Sequence, residues 1–350
     1  MKRIIQSERN VITLKDVAQA CGLKMGSVSQ ILQRDDSRYS QETRQRVREV
    51  AERLGYRPNV MAQGMRTGKT GIIGFLIPGR VVEHFSDEAL SLRIMMGVES
   101  EFMIAGYKVL LAAITDDEVE HLKSPPILLD GYVEGLVVLG MPSAAYLQAL
   151  YRKCPRIVVA DEAPEDVPAI VPDNFGGGRL AGGYAWDMGY RSFAFISRNP
   201  ESPNLEARLA GFRAAVEARA GRALDIPVFR GDPWSEGGAK NIAKIVLEQS
   251  GNAGFWFCAN DFFAFHAIQV LRDAGRRVPE DVAVMGFDNA DFAAYSVPGL
   301  ATLEVDKQLM GRECARMLLR MINGDSNAAV PSRVTIPVRL VPRPSVIRKD

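Results

Sequence analysis

A helical alternation of apolar and polar positions runs from residue 13 to residue 54. Two short amphipathic helices are predicted on either side of a turn at Gly22, with the apolar positions Val17, Ala18, Cys21, Val28, Ile31 and Leu32. Thr13 and Asp16 have the spacing of a capping box, so the first helix should begin directly after Thr13. A third helix, capped by Ser40 and ended by Gly55, completes a helix-turn-helix unit.

Beyond residue 70 the pattern changes to short apolar runs separated by helical segments. The runs span residues 72–77, 108–114, 135–140, 156–161, 193–197, 254–259 and 282–287. Continuous apolar runs of this length are typical of parallel strands that are buried on both faces. Gly106, Gly189 and Gly275 each end a helix just before the next strand. The pattern predicts a doubly wound α/β arrangement repeated twice, and therefore two lobes with a boundary near residue 171.

The chain length and the distribution of charge indicate two parts with different functions. A chain of 350 residues is too long for one typical core. Residues 1 to 70 hold 14 Lys and Arg against 7 Asp and Glu, whereas the remaining residues hold 29 against 35. A basic head on an acidic body is the charge distribution expected of a nucleic-acid-binding module joined to another function.

The cysteines and the N-terminus limit the remaining classes. Cys21, Cys154, Cys258 and Cys314 are scattered through apolar segments without a CxxC pair, so we expect reduced buried thiols and neither disulfides nor metal ligands. No cofactor is expected. The N-terminus has no apolar run long enough for a signal peptide, and no segment has the length of a membrane span. The sequence therefore predicts a cytoplasmic protein without a membrane partner.

The helix-turn-helix pattern and several later motifs resemble the lactose-repressor family of bacterial transcription regulators. The motifs are GYRPNVMAQGMRTG at 55–68, GIIGFLIPG at 71–79, RLAGF at 208–212, AND at 259–261, VPEDVAVMGFDN at 278–289 and VDKQLMGRECARMLL at 305–319. The resemblance implies an all-α helix-turn-helix head with a hinge helix, joined to a two-lobed α/β core of doubly wound parallel sheets similar to periplasmic binding proteins. The expected divisions are a DNA-binding domain at 11–58, a hinge at 59–69, a first lobe at 70–171 with about 303–334, and a second lobe at 172–302 with about 335–350.

The recognition helix should run from about Met25 to Leu32, and here the chain departs from the family. Lys24 stands where the family usually has a capping serine. Met25 and Gly26 occupy the two leading base-reading positions, although neither side chain can hydrogen-bond to a base edge. Gln30 can pair bidentately with adenine and is the best single base reader. The other expected DNA contacts in the head are Thr13, Ser27 and Ser29, the two serines being expected at phosphates.

The segment after Pro58 resembles the family hinge, which becomes helical on an operator and wedges an apolar side chain into the minor groove. Met65 matches the wedge position, and methionine is long and flexible enough to unstack bases. The neighbouring expected DNA contacts are Asn59, Ala62, Gln63 and Arg66. Gly64 and Gly68 oppose a stable free helix, which fits folding coupled to binding; a plain flexible linker is the alternative.

The resemblance also implies an effector site. Its polar contacts would be Asp161, Arg208, Asn260 and Asp288, and each lies at the end of a predicted strand or on the segment that follows one, where open α/β sheets bind ligands. Carboxylates and a guanidinium can bind the hydroxyl groups of a small polyol. Trp234 would stack on the ligand, and Phe85 or His84 would line the opposite wall. The alternatives left open are an ordinary ion pair between Arg208 and Asp288, a loop-capping Asp161, a packing Trp234 and a surface His84.

One segment matches a dinucleotide-binding motif, but its sequence context does not fit such a site. Gly176, Gly178 and Ala181 match GxGxxA, yet no buried strand ends directly before them and no acidic residue follows at the ribose-binding spacing. We interpret these residues as a small-residue helix face for close packing. The sequence offers no catalytic residues.

These observations predict a homodimeric, effector-responsive transcription regulator that represses a sugar or related metabolite operon by binding a palindromic operator. No leucine heptads follow residue 340, so no tetramer-forming coiled coil is expected. Two other classes remain as alternatives: a cytoplasmic small-solute-binding protein, and a nucleotide-dependent α/β enzyme fused to a DNA-binding head.

Overall fold

The computed structural model of the chain divides into two compact units, residues 1–70 and residues 71–350. The structure describes residues 12–33, 38–57, 69–79, 85–129, 131–140, 143–164, 166–198, 202–231, 238–249, 253–324 and 332–349. We call the first unit the head and the second the core, and each is described by itself.

The head contains the three predicted helices α1 (Leu14–Cys21), α2 (Met25–Gln33) and α3 (Gln41–Leu54). The capping box at the start of α1 is confirmed in both directions, because Thr13 Oγ1 accepts from the Asp16 amide and Asp16 accepts from the Thr13 amide. Ser40 Oγ accepts from the Thr43 amide at 3.2 Å. Gly22 and Gly55 end α1 and α3 with φ values of +63° and +69°, which are costly for other residues.

The apolar positions that predicted these helices form the centre of the head. Val17, Val28 and Val47, one from each helix, are completely buried and pack together. A three-helix unit of this size has a small core, so its caps contribute a large share of its stability.

The core has nine helices and twelve strands in the described residues. Its helices are α4 (Phe85–Ile104), α5 (Asp116–Glu120), α6 (Pro126–Leu129), α7 (Ala144–Lys153), α8 (Asn174–Asp187), α9 (Pro203–Ala220), α10 (Gly238–Gln249), α11 (Asp261–Asp273) and α12 (Lys307–Asn323); a 3-10 turn spans Asp291–Ala294. Among the described helices, none combines the length and apolar character needed to cross a membrane.

The strands form two parallel sheets, each the centre of one lobe. The first sheet has the order β11-β5-β4-β3-β1-β2 and the second the order β7-β6-β8-β9. The strands are β1 (Ile72–Pro78), β2 (Lys108–Ile114), β3 (Gly135–Leu139), β4 (Ile157–Ala160), β5 (Ala169–Pro172), β6 (Phe193–Arg198), β7 (Val228–Gly231), β8 (Phe255–Cys258), β9 (Ala283–Met285), β10 (Thr302–Val305), β11 (Arg333–Ile336) and β12 (Val338–Val341). β10 and β12 pair antiparallel where the chain passes between the sheets. The predicted helix-turn-helix head and α/β core with parallel sheets are confirmed, and the predicted hinge helix lies outside the described residues.

All seven apolar runs named from the sequence are strands, with ends that differ by up to two residues. The pattern missed β5, β7 and the short strands of the final segment. Each of these strands has only four residues, and β7 is only half-buried, so they carry little periodic signal. β5 is a buried strand that ends just before α8, so the expectation that no buried strand precedes the GxGxxA residues was wrong.

The small-residue face of α8 packs backbone to backbone against α9, as the sequence predicted. A β-carbon built at Gly178 would overlap the Arg208 carbonyl oxygen, and one at Gly211 would overlap that of Phe175. Helices α4 and α12 of the first lobe show the same arrangement, because β-carbons at Gly97 and Gly311 would overlap the carbonyl oxygens of Gln308 and Ile94. Each lobe therefore contains one helix pair whose spacing leaves no room for repacking.

Candidate DNA-binding surface and effector site

The start of α2 forms the open surface of the head. Lys24, Met25 and Gly26 are exposed, with Met25 51% exposed although it is a large apolar residue. Gln30 lies one turn after Gly26 on the same face and is also exposed. Ser27 and Ser29 are half-buried beside this face. An exposed helix start that carries no acidic residue is suited to approach DNA.

Two of the expected contacts have partners within the head. Thr13 Oγ1 donates to Asp16 Oδ2 at 2.7 Å, so the hydroxyl proton is used in the cap. The same cap lowers the pKa of Asp16. The hydrogen bond from the Thr13 amide is the larger cause, and the one from the Thr13 hydroxyl is the next. Gln30 Oε1 accepts a hydrogen bond from the Tyr39 hydroxyl at 3.1 Å.

Several predicted contacts lie outside the described residues. They are the hinge positions Asn59, Ala62, Gln63, Met65 and Arg66, together with His84 and Trp234. Phe85 begins α4, but its side chain is also outside the described part of the chain. These assignments stay predictions.

The four polar effector candidates of the core are all described. Asp161 follows β4, and Asp288 follows β9; both have positive φ values, +77° and +107°. Asn260 follows β8 and caps α11, its Oδ1 accepting from the Phe263 amide at 3.0 Å. Arg208 lies within α9. Backbone strain of this kind is found at sites where side-chain direction matters more than stability.

Arg208 is held tightly inside the second lobe. Only 4% of the residue is exposed, and its Nε donates to Asn174 Oδ1 at 2.8 Å while Nη1 donates to the Ala259 carbonyl oxygen. The guanidinium carbon lies 3.6 Å from the centre of the Phe287 ring. The side chain therefore joins the start of α8 to the ends of β8 and β9.

Asp288 is paired more closely with a residue that the sequence reasoning missed. Lys307 Nζ lies 3.1 Å from Asp288 Oδ1, whereas Arg208 Nη2 lies 3.9 Å from the same oxygen. Lys307 is buried and begins α12, which packs on the first lobe. A lysine at a helix N-terminus opposes the helix dipole, and this local conflict is the sequence signal that indicates a specific partner.

Asp161 follows β4 of the first sheet and contacts α9 of the second lobe. Its Oδ1 is buried and has no hydrogen-bond partner among the described residues, while its carbonyl oxygen accepts from Asn204 Nδ2 at 3.3 Å. The next residue is Glu162, whose Oε2 lies 3.2 Å from Nη2 of Arg198 at the end of β6. Burial raises the pKa of Glu162, and the neighbouring Arg198 opposes that shift. The ends of β4 and β6 are thus joined by the Glu162–Arg198 pair, next to an Asp161 carboxylate oxygen that accepts no hydrogen bond from the described residues.

Known protein families match both the head and the core of this chain. A profile of bacterial regulatory proteins of the lacI family matches residues 13–59, and a profile of periplasmic binding protein-like domains matches residues 183–346. The transcriptional regulator CelR of Thermobifida fusca is 30% identical over 343 residues, which cover 94% of this chain and 95% of CelR. The chain belongs to the lacI family. It is a DNA-binding transcription regulator.

Solved structures support the fold of this lacI-family member. A CelR–cellobiose complex superposes with a TM-score of 0.70 at 28% identity, covering 95% of this chain and 99% of that one. A lac repressor dimer bound to operator and an anti-inducer gives a TM-score of 0.82 at 23% identity, covering 96% and 99%. The latter likeness concerns the fold alone.

A second residue that the sequence reasoning missed lies near Asp288 in this lacI-family core. Asp261 is buried at the start of α11, where its carboxyl Oδ1 shares a hydrogen bond with Thr302 Oγ1 at 2.5 Å and its Oδ2 accepts from the Ala290 amide at 2.7 Å. Burial raises its pKa to about 8, and nearby Asp288 adds to the shift. Asp261 therefore ties the end of β8 to β10 as a carboxyl group that retains its proton at neutral pH.

This pKa predicts how core stability depends on pH. The unfolded carboxyl has a pKa near 3.8, so the folded state binds the proton more tightly between about pH 4 and pH 8. The stabilisation is complete below the unfolded pKa and is lost as pH rises through about 8. Asp261→Asn cannot ionise, so its urea midpoint should fall less than that of the wild type between pH 5.5 and pH 8.5.

Tryptophan fluorescence reports this unfolding specifically, because all three tryptophans lie in the core. The exposed Asp187 is the matched control, and Asp187→Asn should keep the wild-type pH dependence. Equal pH slopes in the wild type and Asp261→Asn would show that Asp261 is ionised throughout.

Proposed function

We propose that the protein is an effector-controlled repressor that binds a palindromic operator as a homodimer in the cytoplasm. The observation that carries this proposal is that the chain has both an exposed recognition helix and a buried polar cluster at the carboxyl ends of strands from two parallel sheets. A small molecule bound there would favour one arrangement of the lobes, and dimeric heads would report that arrangement to DNA.

The proposed divisions follow the sequence. The DNA-binding domain is 11–58, the hinge is 59–69, the first lobe is 70–171 with about 303–334, and the second lobe is 172–302 with about 335–350. The division of the sheets supports this assignment, since β5 is in the first sheet and β6 in the second, and β11 returns to the first sheet. Met65 is proposed as the minor-groove wedge of the hinge.

The proposed effector is a sugar or sugar derivative. Asp161 offers a buried carboxylate oxygen that accepts no hydrogen bond from the described part of the chain, and hydroxyl groups are the donors that a polyol supplies in quantity. The CelR relative was solved with cellobiose, which supports this class of ligand. In the proposal Arg208, Asn260 and Asp288 complete the polar contacts, and Phe85 and Trp234 form the apolar walls.

Exposed apolar side chains of the first lobe support dimerisation through the core. Leu92, Met96 and Met103 lie at helical spacing along α4 and are each at least half exposed. Leu111 on the neighbouring edge strand β2 is exposed as well, and it pairs with Phe75, which packs against α4. An apolar patch built from a helix and an adjacent strand is typical of a subunit interface.

The alternative classes make different predictions about ligands. A nucleotide-dependent enzyme would be stabilised by nucleotides, whereas the proposed regulator binds sugars without converting them. A small-solute-binding protein would bind sugars with no effect on DNA affinity. A thermal-shift screen of nucleotides and sugars separates the first class from the proposal, and DNA titrations with and without the bound sugar separate the second.

DNA binding should require the head and depend steeply on salt. The basic excess is confined to residues 1–70, and phosphate neutralisation by Lys and Arg releases counterions. The full chain should therefore retard a selected operator duplex and lose at least about tenfold in affinity between about 50 and about 200 mM salt. The core from Gly71, a separate compact unit, is the control. Equal retardation by the core alone would contradict the assignment of DNA binding to the head.

Sugar binding should depend on Asp161. Asp161→Asn keeps the shape of the side chain, and asparagine tolerates the positive φ at this position. Loss of a charge-assisted hydrogen bond should weaken the best sugar of a calorimetric panel by about 10- to 100-fold. Asp166→Asn, at an exposed position in the same loop, should bind like the wild type. An Asp161→Asn variant with wild-type affinity would reject this residue as an effector contact.

A further inference from the structure

The proposed base reader Gln30 does not rotate freely, because Tyr39 holds it. The Tyr39 hydroxyl donates to Gln30 Oε1 at 3.1 Å, across the connection between α2 and α3. Both side chains belong to the head, but the contact joins two different elements. A surface glutamine otherwise has three rotatable side-chain bonds and loses that freedom only when it binds.

Tyr39 is a firm anchor for this contact. Its ring is half-buried and packs against the apolar centre of the head. The next residue, Ser40, caps α3, its Oγ accepting from the Thr43 amide at 3.2 Å. A tyrosine has few rotatable bonds, and here the cap fixes its backbone while the core fixes its ring, so the hydroxyl position is set by the fold.

Because the Tyr39 hydroxyl donates to the amide oxygen of Gln30, this hydrogen bond sets the orientation of the amide group that would face a base. The amide oxygen uses one lone pair for Tyr39 and retains a second, and the amide nitrogen keeps its N–H donors. Adenine presents an acceptor at N7 and a donor at N6 in the major groove, which matches one donor and one acceptor. Guanine presents two acceptors, so the fixed amide oxygen of Gln30 would oppose guanine O6.

Gly26 gives this reader room to reach a base. It lies one turn before Gln30 on the same face of α2. A β-carbon built at Gly26 has no atom within 4 Å, and the residue has an ordinary helical φ, so the fold of the head does not require glycine here. Alanine would be a better helix former. A glycine at this position instead lets the helix backbone approach DNA closely.

We propose that Tyr39 is a specificity-positioning residue, which fixes the Gln30 amide to read adenine while Gly26 lets this short side chain reach the base. The inference rests on the proposed operator binding of the head and adds which base pair the head prefers and why. Each half-site should contain one position where an A·T pair in one orientation is strongly preferred.

The experiment begins with the full chain and a pool of duplexes that carry a randomised inverted repeat. Sequencing of the bound fraction gives the preferred duplex and the base preference at each position. Fluorescence anisotropy then compares that duplex, its single-base-pair variants and a scrambled duplex for wild type, Tyr39→Phe, Gln30→Ala and the double variant. Tyr56→Phe is the matched control. Tyr56 also packs against the apolar centre of the head, and this substitution removes a tyrosine hydroxyl just as Tyr39→Phe does.

We expect Gln30→Ala to remove the adenine preference at one position per half-site. Tyr39→Phe should weaken binding of the preferred duplex about 3- to 10-fold, as expected for one hydrogen bond, and reduce the preference at that same position. Its affinity for the scrambled duplex should be unchanged, and it should have no further effect in the Gln30→Ala background. Gly26→Ala should lower affinity for the preferred duplex, and Tyr56→Phe should leave every base preference unchanged.

Three results would overturn the inference. Equal losses on preferred and scrambled duplexes, repeated in the Gln30→Ala background, would make Tyr39 a phosphate contact. Wild-type base preferences in Tyr39→Phe would show that the hydroxyl does not position Gln30. A pool with no enriched duplex would contradict the proposed function itself and remove the basis of the inference, and that failure is distinguishable because it already occurs with the wild type.

Discussion

Burying the guanidinium of Arg208 removes a full charge from water, which is costly unless the surrounding groups replace the lost hydration. The second lobe supplies that replacement from the Asn174 side chain, the Ala259 carbonyl oxygen and the Phe287 ring. These partners come from the start of α8 and from the ends of β8 and β9. The position of one side chain therefore depends on three elements, and the edge of the sheet depends on that side chain in turn.

The same constraint gives Arg208 a structural role, whether or not it also contacts the proposed effector. The sequence left open whether Arg208 and Asp288 hold a ligand or form an ordinary ion pair. The 3.9 Å separation and the closer Lys307 show that Asp288 is balanced mainly by the first residue of α12. Removal of either partner would leave a buried charge uncompensated, so both residues contribute to stability as well as to the proposed site.

Lys307 also connects the proposed site to the rigid part of the first lobe. It begins α12, whose Gly311 meets the backbone of Ile94 in α4 without space for a side chain. Helix α4 carries the exposed apolar residues of the proposed dimer interface. A change in how Asp288 is bound would therefore act on a helix pair that moves as a unit, because its close packing leaves no room for local adjustment.

Much of this architecture could be predicted from the sequence because its signals are local. The capping box at Thr13 and Asp16, the buried strands and the glycines that end helices each follow from neighbouring residues. Lys307 carries a local signal, since a lysine at a helix start opposes the helix dipole, but the sequence does not show that its partner is Asp288. Asp261 has no such signal, because its role depends on Thr302, far along the chain. The contact of Gln30 with Tyr39 depends on how two helices pack, and no residue pattern within α2 indicates it.

The account depends most on energetic coupling between the core site and the head. The direct measurement is reciprocal: the operator affinity of the full chain with and without the saturating sugar, and the sugar affinity with and without the operator duplex. Thermodynamic linkage requires both ratios to be the same, and the account predicts a shared factor of about 5 to 150. A sugar that binds tightly at the core while both ratios equal one would contradict the claim that this site controls DNA binding.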